Sequence, residues 1–373
     1  MPSAPTKTVL DQLHDAQEII RKKNAQEVDY KRTIARLQRE EDTAEKIREE
    51  IWQLAAHDPE PPAWLIGKQG KLGSRGCPIV AWGDIHFGET VSEDETNGLN
   101  VVNADILKKR MFRLYNTTTD LAFHHMGRAK TVYPGIIVLL GGDMIGGDIH
   151  EELLATNDRT PHQAVDELTD ILAAGIEHMA TKFGRVYAVG VVGNHGRSSK
   201  KMRMKQRVFT NYDWSIYCNL KRHFKNQKYI RIDVPPTADA FFNSYGVRYM
   251  VTHGDSLGVK GGDGIIGAIG PIMRGSIKLG TQTRTIGRDF DELVLFHWHQ
   301  MRWLPGVTVN NALKGFDEYA MLQLRARYSR PSQALWFNHP EHGTTARWEI
   351  FLEGKKKAAE AQPWVTWPQH DPS

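Results

Sequence analysis

The spacing of apolar and polar residues divides the chain into three parts. Residues 8–56 are dominated by Glu, Lys, Arg, Gln and Ala and contain neither Gly nor Pro, a composition that predicts helix. Apolar positions are sparse there: Leu37, Ala44, Ile47, Ile51 and Leu54 keep a heptad spacing, whereas Ile19, Ile20 and Val28 fall out of it. Three readings stay open for this helical arm: packing on the rest of the chain, a short coiled coil joining copies into a homo-oligomer, or a small DNA-binding module. Asp58-Pro59-Glu60-Pro61-Pro62 ends the helix, and the Gly, Lys, Ser and Arg of residues 68–76 read as an exposed connector. The expected organisation is an arm over 1–58, a linker over 59–75, a main domain over 76–353 and an irregular tail over 354–373.

Past the linker the pattern changes to short apolar runs, which predict buried strands at residues 78–82, 135–140, 186–192, 247–251 and 293–296. Helical patterns at 103–126 and 161–183 alternate with them, as in layered α/β folds. After residue 306 the pieces shorten. Residues 307–309, 319–324, 333–337 and 346–352 read as strands of a second sheet packed on the first. No internal repeat is visible.

Composition narrows the class. The chain has 373 residues, 40% hydrophobic and 25% charged, enough for one sizeable core and an appendage. No apolar run approaches the roughly 18 residues of a membrane span, and Met1-Pro2-Ser3-Ala4-Pro5-Thr6-Lys7 lacks the layout of a signal peptide. Cys77 and Cys218 stand alone, too few for a disulfide framework or a cysteine-based zinc site. The expectation is a soluble cytoplasmic protein with no membrane partner. Charge is uneven: residues 197–231 hold eleven Lys and Arg against the single acid Asp213, +10 against −6 for the rest. Such an excess attracts polyanions.

Most of the apolar runs end in chemistry. Five pieces follow one another: Gly83-Asp84-Ile85-His86, Gly142-Asp143, Gly193-Asn194-His195, His253-Gly254-Asp255 and His297-Trp298-His299. Together they offer carboxylates, an amide oxygen and five imidazoles, the mixed oxygen and nitrogen donors that Mn²⁺, Fe²⁺ and Zn²⁺ accept. Strand ends in α/β folds are where such groups converge. One piece alone would be an ordinary turn; all five in order point to a two-metal phosphoester-cleaving site.

This ordered set resembles the calcineurin-like metallophosphoesterase family, over roughly residues 76–353. The family pattern runs D-x-H, G-D, G-N-H-D/E, H, then G-H-x-H. The resemblance implies a four-layer α-β-β-α sandwich and two divalent ions, Mn²⁺ first with Fe²⁺ and Zn²⁺ as alternatives. It also implies a ligand set: Asp84, His86 and His299 for one ion, Asn194, His253 and His297 for the other, and Asp143 bridging both. His195 takes the role of acid toward the leaving oxygen. Two departures stand out. Gly196 replaces the acid that usually follows the histidine, and Phe296 replaces the glycine before the last motif. Asp255 and Asp213 are the candidates for the missing partner of His195. The stretches 261–264 and 311–319 are similar to phage-encoded members.

The basic run brings Arg197, Lys200, Lys201 and Arg203 next to the third motif, and Arg274 follows the glycine-rich stretch 258–270, which reads as a flexible lip. These are the expected substrate contacts. Phe209, Tyr212, Trp214 and Tyr217 suit base stacking or the packed side of a helix equally. His150, Glu151 and Glu152 read as a solvated helix start, and His124 and His125 as surface or packing residues. The leading expectation is a phosphodiesterase acting on nucleic acid, with a DNA nuclease as the first candidate. The alternatives are a small-nucleotide or phosphoprotein phosphoesterase, or a non-catalytic DNA-binding scaffold.

Overall fold

The structure is a computed structural model that describes residues 76–125, 133–257, 269–323 and 325–354, with Gln17, Arg21, Lys23, Asn24 and Lys31. Those five are helical and exposed; the remainder of the arm, the linker, most of the glycine-rich lip (258–268) and the tail beyond 354 lie outside the described residues. The chain divides into two compact units, Met1–Lys68 and Gln69–Ser373.

Among the described residues, the strands of the second unit are β1 (Cys77–Trp82), β2 (Ile136–Leu140), β3 (Val186–Gly190), β4 (Ile230–Asp233), β5 (Asp239–Ser244), β6 (Val247–Thr252), β7 (Glu292–Leu295), β8 (Arg302–Leu304), β9 (Val307–Val309), β10 (Ser332–His339) and β11 (Gly343–Phe351). Its helices are α1 (Ala104–Asp120), prolonged by a π-turn over Leu121–His125, then α2 (Glu151–Thr156), α3 (Pro161–Phe183), α4 (Tyr212–His223), α5 (Ile269–Thr285) and α6 (Glu318–Leu322). The unit is a mixed α/β fold. One sheet runs β11-β10-β1-β2-β3-β4 and the other β5-β6-β7-β9-β8. β1, β2, β3 and β4 are mutually parallel, as are β6, β7 and β9.

Local chemistry sets the helix ends. Asn103 accepts from the Ile106 amide at the start of α1. Thr160 and Gln163 form a capping box with Pro161 in the first turn of α3, and Gly184 closes that helix in the left-handed conformation.

Alternate residues of the central strands face opposite ways. Val80, Trp82, Val138 and Leu140 are buried with Leu107, Met111 and Leu114 of α1 and Leu168, Leu172 and Ile176 of α3. Each such side chain contributes about 1.5–3 kcal/mol of burial. Between the sheets, Trp336 of β10 meets Tyr249 of β6 and Trp303 of β8, and Tyr187 of β3 meets Phe242 of β5. Met250, Leu293, Leu295, Val307 and Val309 pack with Ile272 of α5. No described helix is long and apolar enough to cross a membrane.

Three expectations change. Of the stretch 319–324, residues 319–322 are helical rather than a strand: Asp317 caps α6, its carboxylate accepting from the Ala320 amide at 2.7 Å. β10 and β11 do not join the second sheet; β10 is buried almost throughout and pairs antiparallel with β1. The second sheet is built mainly from β5 to β8, so of the late strands only β9 belongs to it.

Candidate metal centre

All five motif segments leave the C-terminal ends of parallel strands: Asp84 after β1, Asp143 after β2, Asn194 after β3, His253 after β6 and His297 after β7. The backbone is bent to the purpose. Asp84, His86, Asp143, His297 and His299 have φ of 48°, 53°, 48°, 72° and 50°, a left-handed region that L residues with side chains seldom occupy. Such conformations cost about 1–3 kcal/mol each and persist only where surrounding contacts over-determine them. Here they do: the amides of Asp84 and His86 donate to the carbonyls of Gly142 and Asp143 at 3.0 Å each. The His297 amide donates to the Asp84 carboxylate at 3.1–3.2 Å, tying the last motif of one sheet to the first motif of the other.

The side chains converge in two groups linked by a third, His86, Asp143 and His195. Asp84, His86 and His299 offer ligand atoms within 4.8 Å of one another, and so do Asp143, His253 and His297. In the first group His299 Nε2 lies 3.3 Å from His86 Nε2 and 3.4 Å from Asp84 Oδ1. In the second, His253 Nε2 lies 3.1 Å from both Asp143 Oδ2 and Asn194 Oδ1. Asp143 Oδ1 accepts from the His195 amide at 2.7 Å. Its Oδ2 is buried and faces imidazole nitrogens of both groups, His253 Nε2 at 3.1 Å and His86 Nε2 at 3.9 Å. A buried carboxylate oxygen between two imidazole sets fits a cation on either side.

Outer contacts turn the rings. His253 Nδ1–H donates to the Gly141 carbonyl at 2.9 Å, and His86 Nδ1 lies 2.9 Å from Glu89 Oε2, so both Nε2 atoms face inward. Burial works against the charges of Asp84 and Asp143, yet neighbouring imidazoles hold both carboxyls below their ordinary range. Burial pushes His86 down to about 4, aided by Lys314, and His297 to about 4, aided by His253. Both are therefore neutral lone-pair donors near neutral pH. His253 is raised to about 10: burial opposes its charge, but Asp143, Asp84 and Asp255 together outweigh it.

His195 stands beside the first group, its ring centroid 4.6 Å from that of His86. Its Nδ1 is bonded to the Gly146 carbonyl at 3.0 Å, so neither Asp255 nor Asp213 is the partner expected for it. Asp255 accepts both 2.7 Å bonds from Arg207. Asp213 is fully buried and accepts from the amides of Asp143, Met144 and Gly193 at 3.0, 3.1 and 2.8 Å. Burial and Asp143 push its carboxyl up to about 7. It also explains Gly196: a Cβ there would lie 2.4 Å from Asn211 Oδ1 and 2.8 Å from Asp213 Oδ1. Asp213 and Asn211 have taken the space beside the position where the family pattern has an acid. Phe296 likewise explains its neighbours, since a Cβ on Gly141 or Gly83 would lie 2.0 or 2.4 Å from its ring.

The expected substrate contacts are distributed differently. Arg197 donates to the carbonyls of Asn194, Ser199 and Lys200 at 2.7, 3.0 and 3.0 Å and so clips its own loop. Lys200 pairs with Glu151 at 2.9 Å, both exposed. Lys201, Arg203 and Lys205 are exposed, and Arg203 lines a small cleft with Asn194, Arg207 and Asp255. Arg274 is exposed on α5. Trp214 and Tyr217 are buried on α4, which decides their role as packing; Phe209 and Tyr212 are half-buried. His150 sits at the start of α2 with its ring 5.6 Å from that of His195, while His124 and His125 are exposed. Sequence reasoning missed Glu89, Arg207 and Lys314 as parts of the site; Arg207 lies in the basic run 197–231 and Lys314 in the stretch 311–319, whereas nothing in the sequence singles out Glu89. Compared with known proteins, the chain matches no family model and no curated protein.

Proposed function

We propose that the chain is a two-metal phosphoesterase of the calcineurin-like type, and that its physiological substrate is a nucleic-acid phosphodiester, most simply DNA. The buried Oδ2 of Asp143, set between imidazoles of both groups, carries this reading. Asp84, His86 and His299 would hold one divalent ion, Asn194, His253 and His297 the other, with Asp143 shared; Mn²⁺ is the first candidate, Fe²⁺ and Zn²⁺ the alternatives. Ions held there would supply Lewis acidity toward a phosphoryl oxygen. The contacts of Trp336 and Tyr187 across the two sheets, with helices against the outer strand faces, support the four-layer sandwich that this family implies.

His195 supplies the proton chemistry. With Nδ1 engaged by Gly146, its remaining nitrogen, Nε2, is the atom that would give a proton to the leaving oxygen. The exposed Lys201, Arg203 and Lys205 on the loop after the third motif favour a polyanionic substrate. The smaller-substrate reading draws on other facts: Arg197 is engaged by carbonyls, and Trp214 and Tyr217 are buried. Purified protein with Mn²⁺, assayed against labelled DNA, RNA, cyclic nucleotides and a chromogenic phosphodiester, separates these. Cleavage of DNA that is abolished by chelation is expected. Hydrolysis confined to small esters would remove the nucleic-acid assignment, and no hydrolysis with any divalent ion would remove the enzyme.

A further inference from the structure

The stretch 311–319 supplies none of the candidate ligands, yet it lies against them. The Leu313 amide donates to the Asp84 carbonyl at 3.0 Å. The Lys314 ammonium is buried, 3% exposed, between Glu89 Oε1 at 2.5 Å and Asp317 Oδ2 at 2.7 Å. The other oxygen of Glu89 is the one 2.9 Å from His86 Nδ1. The Lys314 carbonyl in turn accepts from Asn100 Nδ2 at 2.9 Å and from the buried Arg110 at 2.5 Å, and Arg110 is anchored by Glu353. Glu89 also backs the acid side of the site: a Cβ on Gly146 would lie 3.0 Å from Glu89 Cβ, and the Gly146 carbonyl is the acceptor for His195 Nδ1.

Burying two carboxylates and an ammonium costs several kcal/mol per ion before their attraction offsets it, and an apolar trio of similar volume would often be no less stable. Asp317 also caps α6, but stability does not account for the buried Glu89 and Lys314; placement does. We infer that Glu89, held by Lys314 and Asp317, is the positioning residue that fixes the proton of His86 on Nδ1, presents its Nε2 lone pair to the ion, and sets the Gly146 shelf that orients His195. The array runs from Asp317 through Lys314 and Glu89 to His86. It rests on the metal reading for its purpose, though the tautomer it imposes on His86 does not depend on any ion.

Long-range ¹H–¹⁵N correlation spectra of the histidine-labelled full chain, free of metal, test this directly, with the His86 signals assigned by their loss in His86→Gln. The proton is expected on Nδ1 in the wild type, and the preference should be lost in Glu89→Gln. Calorimetric titration of Mn²⁺ should show Glu89→Gln binding about 10–100-fold more weakly at one of two sites. A wild-type His86 protonated on Nε2 overturns the inference whether or not the variant folds. Unchanged tautomer and Mn²⁺ affinity in Glu89→Gln would do the same. If the wild type binds no Mn²⁺ yet shows the Glu89-dependent tautomer, the metal reading fails and the positioning array stands.

Discussion

Five candidate ligands share the left-handed backbone region, and that single fact couples chemistry to local folding. Asp, His and Asn after a strand are common, but five strained φ angles directed at one crevice carry a structural cost with a functional explanation. The Asp and His residues that converge were legible in the sequence because motif order survives without coordinates. Their supports were not: Asp213, Glu89 and Lys314 act through contacts spanning 70, 3 and 225 residues, and nothing in local spacing marks two of those pairings. Gly196 shows the same limit. In the sequence it reads as an acid lost; in the structure it is a position with no room. Gly196→Asp, which restores the family pattern, should therefore destabilise the protein by about 2 kcal/mol or more, since it overpacks a buried site and sets a second carboxylate beside Asp213. Chemical denaturation would measure it, and an unchanged midpoint would mean the loop can open. For His195, the expected signature is a leaving-group effect. His195→Ala should slow hydrolysis of an alkoxide-leaving diester far more than that of an activated phenolate ester. Equal slowing would reassign the His195 side chain to positioning or metal binding, since its ligand atom lies within 4.8 Å of those of His86 and Asp143.

Elements place these residues by presenting parallel strand ends from two sheets at one crevice. The strand runs before the motifs were legible because fully buried parallel strands are continuous apolar runs. The late strands pair otherwise than expected because periodicity gives an element its type, never its neighbours. β10 is buried at seven of its eight positions, as an interior strand must be, but an apolar run of that kind fits the interior of either sheet. The two sheets meet near the site through Phe296, whose ring covers Gly83 and Gly141. Phe296 is wholly buried, so Phe296→Ala should cost about 3–5 kcal/mol. It should also weaken metal binding, because Gly83 and Gly141 adjoin the Asp84 and Asp143 loops. A loss of stability with unchanged Mn²⁺ affinity would show that the sheets hold their spacing without it.

Across the whole molecule, charge is arranged against the acidic centre. The +10 of residues 197–231 includes buried or paired groups such as Arg207, but Lys201, Arg203 and Lys205 remain exposed on the segment that follows Asn194. Binding to duplex DNA should weaken with salt at a log–log slope of about −0.9 per neutralised phosphate. Replacing Lys200, Lys201, Arg203 and Lys205 by Ala should flatten that slope while sparing hydrolysis of a small diester. An unaltered slope would leave the run as a solvated face. The arm over 1–58, with its coiled-coil and DNA-binding readings, lies outside the described residues apart from five exposed helical positions.

The central claim is that Asp143 joins two ions, and metal content tests it most directly. Elemental analysis of protein loaded with Mn²⁺ and freed of excess by gel filtration should give two ions per wild-type chain and at most one in Asp143→Asn, with the fold intact by circular dichroism. Two ions retained in Asp143→Asn, or fewer than two in the wild type under saturating Mn²⁺, Fe²⁺ and Zn²⁺ alike, would contradict it.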